Sequence, residues 1–134
     1  MKVILIPFDD EKPCTVHDIE DALDSTDEES YNVLKRIKNL IDIDMAEIVY
    51  LNTIHSSDPD RDFCLIVDEV GKLKEGWPDR INIRASQFYP GIYYGDPIVG
   101  DVVLCPRQWT PGHGECDLAG FNDQEVELLM PYLL

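Results

Sequence analysis

The chain has little positive charge. Its 134 residues carry 11 Lys and Arg against 27 Asp and Glu, a formal net charge of -16. So few cations exclude the broad basic surface with which proteins grip nucleic acid or an anionic membrane. Long hydrophobic runs are also missing. Nothing approaches the roughly 20 apolar residues needed to span a bilayer, and the four apolar residues before Pro7 are too few for a secretory signal. Cysteine is scarce: Cys14, Cys64, Cys105 and Cys116 are not closely paired, which excludes a disulfide scaffold. Cys64 and Cys105 lie inside apolar runs and read as buried thiols. No Gly-Lys-Ser/Thr follows the glycines at 91, 95 and 100, so a phosphate loop is unsupported. No nucleophile elbow frames a Ser, His and Asp set. These absences favour a cytoplasmic protein that is not an enzyme, without a cofactor.

What is present is an uneven distribution of acid. Residues 9–29 hold ten Asp/Glu and one Lys, a balance of -9. Residues 115–134 hold five acids and no base, a balance of -5. Residues 71–107 hold four acids and five bases, a balance of +1. The apolar fraction, 44%, is ordinary for a folded domain, so the acid does not imply wholesale disorder. The length suits one domain spanning residues 1–134, with an acidic helical segment at 9–44.

Local patterns predict the elements. Residues 2–6 form a short strand ended by Pro7. Thr15 with Asp18, and Ser25 or Thr26 with Glu28 or Glu29, have capping-box spacing and predict helix starts. Over 28–41, Val33, Leu34, Ile37, Leu40 and Ile41 mark one apolar helical face. Strands are predicted over 47–54, 63–67 and 98–105, the last closed by Pro106. Residues 75–97 read as a packed aromatic loop with one helical turn near 83–88, and 106–121 as a loop. Asn122 with Glu125 predicts the start of a closing helix stopped by Pro131. The expected fold is α+β: a small, mostly antiparallel or mixed sheet of about four strands, with helices packed on one face.

The block from 67 to 105 carries a recognisable pattern. Glu69, Gly71, Lys72 and Leu73 form an E-x-G-K-L turn after an apolar strand. Asp79, Arg80, Arg84 and Ala85 follow, then a D-P-I-V-G-D strand from Asp96, and a late Asp117-Leu118 helix approach ending at Glu125. The pattern resembles a family of small uncharacterised proteins of phages, plasmids and conjugative elements. The resemblance covers the C-terminal half well and the first strand loosely; residues 9–29 and the turn at 56–62 look like additions. It implies an accessory protein of a mobile element working in a bacterial host cytoplasm. It carries no catalytic residues.

Several constellations bear chemistry. Cys14-x-x-His17 and His113-x-x-Cys116 have the spacing of two zinc-ligand pairs. Paired knuckles normally carry a Gly or turn residue and Cys14-Thr-Val-His17 has neither, so chance spacing is the simpler explanation; no metal is expected. Asp58-x-Asp60-x-Asp62 with Glu69 copies part of a calcium loop, but Phe63 stands where glycine is needed. Asp96 and Asp101 are too far apart along an extended segment to cooperate as acid and base.

Two candidate surfaces remain. The first is acidic: Asp18, Glu20, Asp21, Asp24, Asp27, Glu28 and Glu29. Such a run is ordinarily a solvated helical face. Alternatively it mimics duplex phosphates, the device of some mobile-element inhibitors of restriction and CRISPR nucleases, and binds a host or defence protein with a basic surface. The second is the near-neutral centre: Trp77, Arg80, Arg84, Tyr93 and Tyr94. Aromatic rings with arginine suit a nucleotide-like anionic ligand or a partner, or else they complete the core. The expected partner is a protein, with no direct nucleic acid and no membrane; a homodimer is left open.

Overall fold

The computed structural model describes residues 1–19, 33–89, 95–109 and 116–133. Its centre is an antiparallel sheet. In chain order the strands are β1 (Lys2–Ile6), β2 (Thr15–Asp18), β3 (Ala46–Leu51), β4 (Arg61–Asp68), β5 (Val102–Trp109) and β6 (Cys116–Leu118). The helices are α1 (Val33–Leu40), α2 (Ile83–Ser86) and α3 (Asp123–Leu129), the last followed by a 3-10 turn, Met130–Leu133. The spatial order is β2-β1-β5-β4-β3, and β6 joins β5 beyond the end of β1. The α+β class holds, but the sheet has six strands rather than about four.

The helices also lie on both faces rather than one. Residues alternate along each strand. Ile4, Ile6, Leu65, Val67, Val102 and Leu104 share one face with Ala85 of α2, Leu129 of α3 and Leu133. Val3, Cys64, Ile66, Val103 and Cys105 share the other with Ile37 and Ile41 of α1 and its terminus. The physical reason is the continuous apolar sequence of β4 and β5. A strand apolar on both sides needs cover on both sides.

Three local readings change. Residues 15–18 form a strand, not a helix start, because Thr15 to Asp18 pair with Leu5 to Lys2. The acidic segment therefore begins as a turn and a strand; residues 20–32 lie outside the described residues. The strand predicted at 98–105 is displaced to Val102–Trp109. Gly100 adopts φ 83, a left-handed conformation open to glycine, and Val99 bridges to Ile81 instead. Pro106 does not close the strand. Its carbonyl accepts from Ala119 N at 2.9 Å, so its missing N–H faces the seam between β1 and β6, not the β4 ladder. At that seam Gly120 is required, since a Cβ there would sit 2.8 Å from Lys2 N.

Cys64 and Cys105 face each other across β4 and β5, with Sγ atoms 3.8 Å apart and both side chains buried. The Cys64 hydrogen bond and burial push the Cys105 thiol well above its usual range, and burial pushes the Cys14 thiol up. The folded state therefore favours the protonated thiols. Their stabilising contribution is complete below the ordinary thiol pKa and falls away as pH rises through the raised folded values. Iodoacetamide at mildly alkaline pH will label all three at negligible rates in the native protein and readily in urea, read by peptide mass. Native labelling as fast as in urea would contradict this packing. Among the described residues, no helix is long and apolar enough to cross a membrane.

Candidate functional site

The acidic surface is described at one of its candidate residues. Asp18 ends β2 and accepts from the Met1 amino group at 2.8 Å, which holds its carboxyl below the usual range. Glu20, Asp21, Asp24, Asp27, Glu28 and Glu29 lie outside the described residues. Elsewhere Asp10, Glu11, Glu47, Glu69, Glu75 and Glu127 are exposed.

The cations have a different fate. Arg61 lies on β4, and its guanidinium grips Glu125 of α3 through Nε and Nη2 at 2.9 and 2.7 Å. It also donates to Gly120 O and Gln108 Oε1. Arg107 pairs with Asp62 and stacks over the Tyr50 ring at 4.0 Å. Lys2 pairs with Asp123, Lys72 with Asp96, and Lys74 with Asp68. Lys38 donates to Asp44 O, and Lys35 and Arg36 are also engaged. The Asp58, Asp60 and Asp62 carboxylates do not converge: Asp58 accepts from Asp60 N, and Asp62 holds Arg107.

The near-neutral centre is built into the fold. Asn82, fully buried, caps α2 by accepting from Ala85 N and donates to Ile6 O and Gly100 O, each at 2.9 Å. Ser86 Oγ accepts from Ile98 N. Two buried polar side chains thus tie the central loop to β1 and to the approach to β5. Arg84 donates through Nη2 to Pro7 O and Asp9 O at 2.8 and 2.9 Å. The Arg80 guanidinium lies 5.3 Å from the Phe8 ring centroid, and its backbone carbonyl accepts from Gly100 N. Both arginines therefore hold the turn between β1 and β2, and a bound anion would have to compete for them. Trp77 is half-buried beside them in sequence; Tyr93 and Tyr94 lie outside the described residues.

The zinc pattern is described in half. Cys14 is buried in the core and its thiol donates to Leu133 O at 3.4 Å, while His17 shares a 2.7 Å hydrogen bond with Thr15 Oγ1. His113 and the Cys116 side chain are outside the described residues. Among the described residues, no group of three or more His, Cys, Asp and Glu is placed to hold a metal ion.

Sequence reasoning missed a groove of about 820 Å3 between α3 and the turn leading into β4. Phe63, Phe121, Leu128 and Tyr132 supply its apolar lining, and Asp58 and Gln108 are among its polar residues. The available signal was two apolar residues, Leu128 near the end of α3 and Tyr132 in the 3-10 turn after it, on either side of buried Leu129 and the turn's Pro131. No protein-family model, no curated protein and no solved structure matches this chain.

Proposed function

We propose that this chain is a mobile-element accessory protein that binds a host or defence protein at a basic surface, its carboxylates standing in for nucleic-acid phosphates. The observation that carries the proposal is the engagement of the cations. Among the described residues, every Lys and Arg except Lys12 has an intrachain partner, whether a carboxylate, a carbonyl, a ring or another contact. The formal surplus of -16 is thus left to the carboxylates. Such a field steers toward positive clefts and away from DNA, RNA and anionic lipid. The family resemblance of residues 67–105 supplies the biological context.

The test is neutralisation. Asp/Glu to Asn/Gln substitutions across residues 18–29 are expected to abolish inhibition of a restriction or CRISPR nuclease complex that the native chain inhibits. Inhibition retained by that variant would defeat the mimicry.

A further inference from the structure

The groove has an apolar floor between two walls, each lined by one carboxylate, Asp58 on one and Glu125 on the other. On the floor the Phe63 and Phe121 rings lie 5.9 Å apart beside buried Leu129. One wall is α3 with its closing turn, where Leu128 and Tyr132 are 63% and 70% exposed. α3 carries no Lys or Arg, and of its acids Asp123, Glu125 and Glu127 it is Glu125 that lines the groove. The other wall is the turn before β4, with Asp58. Arg61, the cation between the walls, is held by Glu125, Gln108 and Gly120.

We propose that this groove docks a basic amphipathic helix of the partner protein. Its apolar stripe lies on Phe63, Phe121, Leu128 and Tyr132, and its Lys or Arg side chains face the wall carboxylates. Helix-in-groove recognition needs an apolar trough and anchors spaced three or four residues apart. The volume, about 820 Å3, accommodates several such anchors. Charge selects the occupant. The net charge of -16 repels an acidic segment, and a second copy of the chain brings the same charge. This assignment rests on the basic-partner role proposed above and adds where that partner sits.

The probe is a fluorescent Leu/Lys amphipathic peptide of about eighteen residues, long enough to form a helix, with its Leu/Glu counterpart as control. Anisotropy with the whole chain is expected to show binding of the lysine peptide and not of the glutamate peptide. Leu128→Asp is expected to weaken the lysine peptide at least about tenfold, the scale of a lost interface anchor. This substitution adds an acid, so purely electrostatic binding would strengthen instead. Leu73→Asp, at an 84% exposed site outside the groove, adds the same charge and is expected not to weaken binding. If the lysine peptide binds the Leu128→Asp variant as tightly as the native chain, the groove assignment is overturned and the basic-partner role stands. If both peptides bind equally and Leu128→Asp weakens both, the groove binds but its preference for a basic helix is overturned. Binding of neither peptide overturns the assignment, as does a native dimer in sedimentation that Leu128→Asp dissociates, which gives the groove to a second copy.

Discussion

Replacing Asn82 by Ala is expected to lower folding stability by about 3 kcal/mol, from the loss of a helix cap and of buried hydrogen bonds. Its side chain is fully buried and makes three hydrogen bonds to Ala85 N, Ile6 O and Gly100 O. Alanine supplies none of them, and no water reaches the site as readily as it reaches a surface cap. Asn82→Asp keeps the cap acceptor but loses both donors, and sets a carboxylate against two carbonyls. It is expected to be at least as damaging as alanine. Domains of this size are stable by only about 5–15 kcal/mol, so either change is a large fraction of the total. Urea unfolding reads the effect as a lowered midpoint at unchanged slope. An Asn82→Ala midpoint within error of the native value would show that the central loop is held by other contacts.

The second large effect is at Arg61. Its side chain and that of Glu125 are each 14% exposed. Arg61→Met removes the cation and leaves Glu125 with the Asn122 backbone N–H. Breaking a buried pair from one side costs about 3–5 kcal/mol, and residual solvent contact here lowers the expectation to about 2–3 kcal/mol. Arg61→Lys is expected to recover little. One ammonium cannot reproduce two parallel bonds to Glu125 together with those to Gly120 and Gln108. The double variant Arg61→Met with Glu125→Gln is expected to be more stable than Arg61→Met alone, since no charge is then stranded. Additive losses in that cycle would mean that the two side chains act independently.

These residues explain what was legible. The first strand and the closing helix were visible because their signals are local: an apolar run stopped by Pro7, and the Asn122–Glu125 capping box, which the structure forms. Strand β2 was hidden because Thr15 and Asp18 have the spacing of a cap, and pairing with β1 decides otherwise. Strand β6 is three residues long, and β5 outruns β1 to provide its partner. Cover on both sheet faces was implied by the unbroken apolar runs of β4 and β5, where expectation kept the helices on one face. The site was less legible. Arg61 meets Glu125 across 64 residues of sequence, and no spacing rule joins them. Arg80 and Arg84 stood out as candidate binders, whereas Asn82 between them in role did not, although it organises the same loop. The groove is made by three distant segments that only the tertiary fold brings together.

The proposed role is that this chain, with its described cations apart from Lys12 engaged internally, binds by presenting carboxylates to a basic groove. The most direct measurement is displacement of fluorescent duplex DNA from a target nuclease complex, titrated with this chain at several salt concentrations. Phosphate-like contacts predict full displacement near 50 mM salt and at least about a tenfold loss of potency by about 200 mM. Displacement that is absent at low salt, or whose potency does not change with salt, would contradict the claim.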